Sequence, residues 1–340
     1  MFGLGYVGTA LAATLAREGA YEVCGTVRDG DKAARLGAHG IRALVWDPFR
    51  GEEDERAPGA DADADASSER EDDDVRRTIA DALARATVVI STVPPNGDLD
   101  RDPVLEAFGD VLRDASATST RRRFTGYCSS TSVYGDHGGD WVNETTPCLP
   151  NTPKSRARYD AERAWRALAG DGVTVTSYRL GGIYGPGRSA IETAKKRRGS
   201  ASTGREESAS QRARERRAYT SRVHVGDIVR VIIASMELGE NASEVYNVVD
   251  DEPAPRRDAV RYAESILGFT DESATAATTN TKTKTMQSQS RERANVEGNR
   301  GEKRVENARI KTELGVALQF PTYREGLDAL ARGDQYPFEV

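Results

Sequence analysis

The sequence is poor in the residues that build metal centres, disulfide scaffolds and membrane spans. Its 340 residues include three cysteines and three histidines. Neither set shows metal-ligand or C-x-x-C spacing, so we expect a reducing compartment and no bound metal. No apolar run reaches the roughly 20 residues that cross a bilayer. These absences predict a soluble protein without membrane contact, in the cytoplasm or in an organelle.

An excess of charge of one sign is also missing. The chain has 48 basic and 54 acidic residues, which gives a formal net charge of -6. Proteins that bind nucleic acids carry a basic surplus, so this class of partner is not expected. We expect a small-molecule substrate instead, and the sequence leaves a homodimer open.

Three segments lack the large apolar residues that a folded core needs. They are the acidic stretch 51–75, the Ser/Arg/Glu-rich stretch 200–217 and the Thr/Ser/Lys-rich stretch 271–300. Such segments cannot offset the entropy that ordering costs. We predict that all three are disordered surface insertions, and an alternative is that the acidic one recruits a basic partner.

Outside these segments, strand and helix patterns alternate. Ala/Leu-rich or amphipathic spacing predicts helices, and runs of β-branched residues predict buried strands. Repeated alternation of this kind predicts an α/β fold with a Rossmann-type doubly wound parallel sheet. The predicted helices are 9–18, 31–36, 75–86, 104–112 and 155–169, and the predicted strands are 21–27, 41–46, 87–92, 124–130 and 173–180.

The first strand of this alternation is almost absent. A glycine-rich turn of the Rossmann type follows an apolar strand, yet only Met1 and Phe2 precede the turn here. That strand would lie in the centre of the sheet, between the strands at 21–27 and 87–92. The hypothesis is that the native product begins upstream of Met1.

The turn itself has the spacing G-x-G-x-x-G at residues 3–8. In this pattern Gly3 permits a tight turn, Gly5 lets the backbone approach a pyrophosphate, and Gly8 allows close packing of the helix that follows. The helix N-terminus then faces the phosphates. The turn therefore predicts dinucleotide binding by the segment Gly3, Leu4, Gly5, Tyr6, Val7 and Gly8.

The residue after the next strand indicates which dinucleotide is bound. Proteins that bind NAD present Asp or Glu to the ribose 2′-hydroxyl at this position, and this chain has Arg28. A guanidinium suits a 2′-phosphate, and Lys32 adds positive charge one turn later. We therefore predict NADP as the cofactor, while the adjacent Asp29 keeps NAD open.

Seven blocks in order along the chain resemble the extended short-chain dehydrogenase/reductases, the NAD-dependent epimerase/dehydratase superfamily, and especially its atypical nucleoside-diphosphate-sugar epimerase-like branch. Their order is far more specific than any single block. The blocks are GLGYVG (3–8), STVPP (91–95), CSSTSVYG (128–135), YRLGGIYGPG (178–187), RVHVGDI (222–228), YNVVD (246–250) and KRVENAR (303–309).

The resemblance implies roles for residues at the strand ends. It makes Ser130 the catalytic hydroxyl that hydrogen-bonds a substrate oxygen, although Ser and Thr clusters also satisfy backbone groups at strand ends. It places Ser129 and Thr131 beside the substrate. It adds five residues to the cofactor site, namely Asp47, Ser91, Thr92, Val93 and Pro94.

The acid/base pair of the family, a Tyr four residues before a Lys, has no clean copy. The literal pattern offers Tyr159 and Arg163, with Arg in place of Lys. A second alignment matches Glu162 with the glutamate of the corresponding helix in the family. It puts Arg158 at the lysine position, beside the cofactor, and Lys154 at the tyrosine position. The second alignment contains no phenol, so catalysis depends on which alignment is correct.

Farther along, the resemblance implies a small C-terminal substrate subdomain. Arg222 is a candidate ligand for a substrate phosphate, and an ion pair with Asp227 is the alternative. His224 is expected to be a structural hydrogen-bonding residue. We expect a Rossmann domain at 1–185 and a mixed C-terminal region at 186–340.

The sequence as a whole predicts an NADP-dependent epimerase- or reductase-like enzyme that acts on a polar substrate of nucleotide-sugar type. The alternative is a non-catalytic NADP-binding sensor or interaction protein with a degenerate active site, since a fold can persist after its chemistry is lost.

Overall fold

Helices and strands alternate through the first half of the chain. The computed structural model describes residues 1–49, 62–96, 101–118, 122–200, 218–269 and 302–338. The alternation predicted from the sequence is confirmed. The elements of this half are α1 (Tyr6–Glu18), β1 (Cys24–Val27), α2 (Gly30–Gly37), β2 (Arg42–Val45), α3 (Ala62–Arg85), β3 (Val88–Ser91), α4 (Pro103–Thr118) and β4 (Arg123–Ser130).

Shorter strands interrupt the pattern in the second half. A 3-10 helix at Thr131–Tyr134 follows β4 directly, and a second one lies at Gly239–Asn241. The remaining elements are β5 (Trp141–Val142), α5 (Pro153–Arg166), β6 (Val173–Leu180), β7 (Gly182–Tyr184), α6 (Ala190–Ser200), β8 (Arg222–His224), α7 (Val225–Leu238), β9 (Val245–Val248), α8 (Arg256–Ile266), β10 (Arg304–Val305), α9 (Ala308–Thr312) and α10 (Tyr323–Ala331).

A parallel sheet with the strand order β3-β4-β6-β9 forms the centre of the protein. Strands β1 and β2 form a parallel pair, and residues 1–4 join this pair to β3. The Phe2 amide donates to Ile90 O at 2.8 Å on one side, and the Thr26 amide donates to Met1 O at 3.0 Å on the other. The predicted central position of this short segment is confirmed.

Two clusters of apolar side chains cover the two faces of the sheet. On one face, α1 and α7 contribute residues such as Leu11 and Ile228 to a core that also contains Tyr178. On the other face, α3, α4 and α5 contribute residues such as Phe108 and Trp165. Helices on both faces of a parallel sheet make the doubly wound architecture that the alternation predicted.

The C-terminal part of the chain contributes both to the central sheet with its covering helices and to a smaller apolar cluster. Strand β9 pairs with β6, and α7 packs on α1, so the Rossmann layer includes residues from beyond position 186. A smaller cluster joins α6, α8 and α10 through Ile191, Ala263 and Leu327. Strands β7 and β8 form a separate parallel pair, and the Asp250 amide, which follows β9, donates to Arg222 O of β8.

The disorder predicted for 51–75 is wrong from Ala62 onward, because α3 begins there. Alanine has the highest helix propensity, and the sequence of this segment is rich in alanine. Ile79 and Leu83 then bury the end of this helix in the core. Residues 51–61, 201–217 and 271–300 lie outside the described residues. Within the described ranges, no helix is long and apolar enough to cross a membrane.

Candidate functional site

The glycine turn leads into α1 through three positions with different steric demands. Gly3 has φ +79°, and a Cβ on it would lie 3.0 Å from both Thr92 Oγ1 and Val93 Cγ2. A Cβ on Gly8 would lie 2.1 Å from Gly3 O, whereas one on Gly5 would meet no described atom within 4 Å. Gly3 and Gly8 are therefore required by the turn itself, while Gly5 leaves space for a ligand to approach the backbone.

The N-terminus of α1 opens onto this space. Gly5 is the N-cap, no side chain in the described structure caps the helix, and its first turn carries no acidic residue. Uncapped amide groups and the positive end of a helix dipole attract anions. The side chains of Leu4 and Val7 are buried, so these residues offer only their backbone. The turn fits the pyrophosphate of a dinucleotide.

Two further segments flank the turn. Thr92 Oγ1 donates to Gly3 O at 2.6 Å, which fixes the loop after β3 against the turn. Ser91 and Val93 are buried, and Pro94 is exposed. The Tyr6 hydroxyl donates to Pro186 O at 2.9 Å and so connects the turn to the loop after β7. The structure thus brings the predicted residues 3–8 and 91–94 together.

Cations gather at the end of β1. Arg28 follows this strand and is exposed. The Asp29 carboxylate accepts a hydrogen bond from the Asp31 amide at 2.9 Å and caps α2. Burial, together with the nearby Arg35 cation, lowers the pKa of the Lys32 ammonium. The end of β1 therefore presents an exposed guanidinium, and Lys32 lies in the first turn of the helix that follows.

Asp47 lies at the corresponding end of β2. Val27 of β1 pairs with Val45 of β2 in a parallel register, so Arg28 and Asp47 both follow the carboxyl ends of these neighbouring strands. Asp47 Oδ1 accepts from the Phe49 amide at 3.0 Å.

A cavity of about 290 Å³, here called the Ser130 cavity, opens at the carboxyl end of β4. Ser130 is the last residue of β4, and its Oγ accepts from the Ser132 amide at 3.1 Å, which caps the 3-10 helix. Thr131 lines the same cavity. Ser130 and Thr131 thus lie together in the wall of one cavity.

Ser129 points to the opposite side. It is buried and donates to Glu162 Oε2 at 2.7 Å. Glu162 in turn forms a buried ion pair with Arg179, with 2.6 Å between Oε1 and Nη2. Neighbouring side chains on a strand point to opposite faces, so Ser129 does not reach the Ser130 cavity.

The two candidate acid/base alignments use residues that lie on different faces of α5. Arg158 Nη1 donates to Cys128 O at 2.9 Å and to Tyr127 Oη at 3.2 Å, at the carboxyl end of β4. Arg163 is exposed, with its guanidinium 6.0 Å from the centre of the Tyr159 ring. The described residues that line the Ser130 cavity include none of the four candidates Lys154, Arg158, Tyr159 and Arg163. The contact of Arg158 with the end of β4 is therefore what distinguishes the two alignments. This geometry favours the alignment on Glu162.

A second cavity of about 480 Å³, the Arg222 cavity, lies beneath β7 and β8. Arg222 Nη1 donates to Thr220 O at 3.0 Å and to Ala254 O at 2.9 Å. Its Nη2 is buried without a hydrogen-bond partner among the described residues. The two cavities share Gly182 and Thr220 in their walls, so they adjoin.

The ion pair between Arg222 and Asp227, offered as an alternative, is wrong. Asp227 accepts from the Gln319 and Phe320 amides at 2.7 and 3.0 Å. The acidic group that acts on Arg222 is Asp250, which the sequence reasoning gave no role. Burial raises the pKa of Asp250 well above its usual range, while Arg222 works against that rise. Only its place at the end of the block YNVVD (246–250) could have drawn attention to Asp250.

His224 is structural, as predicted. Its Nδ1 accepts from the Gly226 amide at 3.1 Å and caps α7. Its ring packs against Phe320, with 4.0 Å between ring centres. Burial lowers the pKa of His224 to about 4.

This shift predicts an acid-sensitive fold. Between pH 6.5 and about 4 the unfolded chain binds a proton at His224 that the folded protein does not, so stability falls as the pH falls. The full loss is about 3 kcal/mol. We expect urea unfolding at pH 7 and pH 4.5 to show most of this loss in the wild type and a smaller one in His224→Asn, which keeps a capping oxygen. An equal loss in both would assign the sensitivity to other groups.

A matched pair of glycine variants tests the turn. We expect Gly5→Ala to melt near the wild-type temperature but to lose dinucleotide binding, since its Cβ projects into the open space of the described structure. Gly8→Ala clashes with Gly3 O and should cost about 1–3 kcal/mol of stability. Thermal melts and dinucleotide titrations measure the two effects. Unchanged binding by a folded Gly5→Ala protein would place the ligand elsewhere.

Comparison with solved structures gives the same architecture. A functionally unknown conserved protein from Silicibacter pomeroyi DSS is 31% identical, with a TM-score of 0.65 over 98% of this chain and 97% of that one. A putative NAD-dependent epimerase/dehydratase from Methylobacillus flagellatus is 21% identical, with a TM-score of 0.63 over 98% and 96%.

A more distant structure is a point mutant of the UDP-glucuronic acid 4-epimerase from Bacillus cereus, in complex with UDP-4-deoxy-4-fluoro-glucuronic acid and NAD. It is 16% identical, with a TM-score of 0.64 over 97% of this chain and 96% of that one, and at this identity the likeness shows the fold alone.

The search of curated proteins found no significant match. The model of the NAD-dependent epimerase/dehydratase family matches residues 3–248, from the glycine turn to the end of β9. The resemblance stated from the sequence blocks is therefore confirmed. The chain belongs to the NAD-dependent epimerase/dehydratase family.

Proposed function

We propose that this protein is an NADP-dependent epimerase- or reductase-like enzyme that acts on a polar, nucleotide-linked small molecule. The observation that carries the cofactor assignment is the charge at the end of β1. Arg28 is exposed there, and the neighbouring Asp29 carboxylate is engaged in capping α2. A 2′-phosphate would form a charge-assisted hydrogen bond with the guanidinium.

Lys32 supports the same preference. Its pKa is lowered because burial and Arg35 both disfavour its positive charge. A bound phosphate dianion would favour the charged ammonium and so counteract this lowering of the pKa. The Bacillus cereus epimerase structure contains NAD, so the proposal implies that this chain departs from that relative at the adenosine ribose.

The proposed chemistry divides between cofactor and protein. When bound, the cofactor supplies or accepts a hydride at its nicotinamide C4. Ser130 would donate a hydrogen bond from its Oγ–H to the substrate oxygen at the reacting carbon, since its hydrogen bond with the Ser132 amide uses Oγ as an acceptor and does not use the O–H. This role holds the substrate and does not by itself remove a proton.

The Arg222 cavity supports a substrate that carries a phosphate. The buried Nη2 of Arg222 has no partner among the described residues, and a buried donor left unsatisfied costs about 1–3 kcal/mol. Arg188 and Arg256 line the same cavity. Since this cavity adjoins the Ser130 cavity, one elongated substrate could occupy both. A nucleoside diphosphate linked to a sugar is elongated and carries negatively charged phosphates. The complex of the Bacillus cereus epimerase contains such a molecule.

The second candidate is a non-catalytic NADP-binding sensor. It is favoured by the position of Tyr159, which is not among the described residues of the Ser130 cavity. Arg158, at the lysine position, directs Nη1 to Cys128 O and Tyr127 Oη. The family's usual phenol and ammonium are therefore not brought together in the described structure.

Cofactor preference gives a direct test. We expect the wild type to bind NADPH more tightly than NADH, and Arg28→Ala to lose roughly tenfold or more of NADPH affinity while NADH affinity stays the same. Quenching of tryptophan fluorescence measures both. Arg42→Ala is the matched control, because Arg42 is exposed and begins β2 at the opposite end of the strands. Equal affinity for the two cofactors in the wild type would contradict the NADP assignment.

Turnover separates the enzyme from the sensor. We expect hydride transfer with one or more members of a panel of nucleotide-sugars, and a fall of roughly 100-fold in kcat for Ser130→Ala with NADPH binding unchanged. Ser265→Ala is the control, since Ser265 is exposed on α8 and is not among the described residues that line either cavity. Absence of turnover across the panel in a protein that binds NADPH would favour the sensor.

A further inference from the structure

Tyr6 joins three segments that lie far apart in the sequence. It is the first residue of α1 and follows Gly5 in the glycine turn. Its hydroxyl donates to Pro186 O at 2.9 Å, across 180 positions of the chain. Its ring packs against Phe338 of the C-terminal segment, with 5.0 Å between the ring centres. One side chain therefore links the turn that is proposed to bind a dinucleotide to both of the other segments.

The loop after β7 is shaped to receive the phenol of Tyr6. Gly185 has φ +155°, and a Cβ on it would lie 2.7 Å from Tyr6 Oη. Gly185 and Arg188 exchange two backbone hydrogen bonds of 3.0 Å, which close a tight turn between them. Because this turn is closed, the contact of Tyr6 with Pro186 O also fixes the point at which the Arg188 side chain leaves the backbone.

Arg188 connects this loop to the Arg222 cavity. It is exposed and lines that cavity, and its guanidinium lies 5.5 Å from the centre of the Tyr6 ring. The face of an aromatic ring attracts a cation, so the ring restricts the position of the guanidinium. Tyr6 is not among the described residues that line the cavity. Any effect of Tyr6 on a ligand in this cavity is therefore exerted through Arg188 and its loop.

The surroundings of the phenol keep Tyr6 a hydrogen-bond donor. Burial raises the pKa of Tyr6 to about 12, the Arg188 cation works against that rise, and the Glu192 carboxylate adds to it. The phenol is therefore protonated at neutral pH, and its bond to Pro186 O is kept there.

The backbone of Tyr6 belongs to the proposed cofactor site. The first amide groups of a helix have no acceptor within the helix, and the amide of Tyr6 is the first of α1. A pyrophosphate bound at this end would hold that backbone in place. On the side of the C-terminal segment, the Phe338 amide donates to Gln335 O at 2.8 Å and fixes the residue that packs on the Tyr6 ring. Tyr6 thus contacts the cofactor site with its backbone and the loop of the Arg222 cavity with its side chain.

We propose that Tyr6 is a positioning residue for the substrate, which holds Arg188 at the wall of the Arg222 cavity so that the guanidinium pairs with the phosphates of a nucleoside diphosphate. The inference rests on the proposed function, because it takes this cavity as the site of the substrate phosphates. It makes a residue of the dinucleotide-binding turn a determinant of substrate affinity.

A double-mutant cycle on the full-length protein tests this role. Isothermal titration measures the binding of UDP, with uridine as the probe that lacks phosphate, to protein saturated with NADP⁺. The variants are Tyr6→Leu, Tyr6→Phe, Arg188→Gln and the two double variants that combine Arg188→Gln with each change at Tyr6. Tyr21→Leu is the matched control, since Tyr21 is exposed and is not among the described residues that line the Arg222 cavity.

We expect the wild type to bind UDP more tightly than uridine, and Arg188→Gln to weaken UDP binding roughly tenfold. Tyr6→Leu should weaken it roughly fivefold, and Tyr6→Phe, which keeps the ring and loses the hydroxyl contact, roughly twofold. Tyr21→Leu should keep the wild-type affinity. Since Tyr6 acts through Arg188, each double variant should bind UDP no more weakly than Arg188→Gln alone. A merely structural role of Tyr6 would instead multiply the two losses.

Three results would overturn the inference: wild-type binding of UDP that is no tighter than that of uridine, wild-type affinity for UDP in folded Tyr6→Leu, or losses that multiply in the double variants. Far-ultraviolet circular dichroism establishes that each variant is folded, and Tyr6→Phe completes the cycle if Tyr6→Leu does not fold. Failure of the proposed function is distinguishable, because it would appear as absence of NADP⁺ binding, which is measured separately. The same cycle on the free protein would still support the inference if the two losses did not multiply.

Discussion

The buried ion pair between Glu162 and Arg179 holds together the elements that present the candidate site. Their side chains are 0% and 4% exposed. Burial alone would lower the pKa of Arg179, but its hydrogen bonds with Glu162 outweigh this effect and raise that pKa above the ordinary value. A buried charge that loses its partner costs about 3–5 kcal/mol. The two residues therefore constrain α5 and β6 to one relative position.

Two more elements join this pair. Ser129 of β4 donates to Glu162, and Arg179 Nη1 donates to Tyr134 Oη in the 3-10 helix at 2.9 Å. Tyr134 in turn donates to Asn247 Oδ1 of β9 at 2.8 Å. Because Ser129 is held inward, the alternation of a strand directs its neighbour Ser130 to the cavity. The network thus decides which of two adjacent serines is able to contact a substrate.

Much of the fold was predictable because its signals are local. The glycine spacing, the β-branched runs and the cap at Gly19, which has φ 69°, each depend on a few neighbouring residues. The predicted strand 173–180 has the same bounds as β6. The start of α3 was missed because a composition poor in apolar residues indicated disorder, although Ala/Asp-rich sequences also form helices when a later apolar face anchors them.

The candidate site was predictable only in part, because its contacts join distant segments. The blocks pointed to Ser130 and Arg222, and the structure places both in cavity walls. Arg222 contacts the carbonyl of Ala254, a residue 32 positions away, and no spacing rule connects the two. The choice between the two acid/base alignments likewise depended on which face of α5 lies against β4. The periodicity of the sequence left both alignments open.

The location of the dinucleotide is the point on which these assignments depend, and a crystal structure of the protein with NADP⁺ tests it most directly. The predicted result is a pyrophosphate at the first amide groups of α1 beside Gly5, with the 2′-phosphate hydrogen-bonded to Arg28. A dinucleotide bound in the Arg222 cavity, or one whose adenosine ribose lies away from the end of β1, would contradict the assignment.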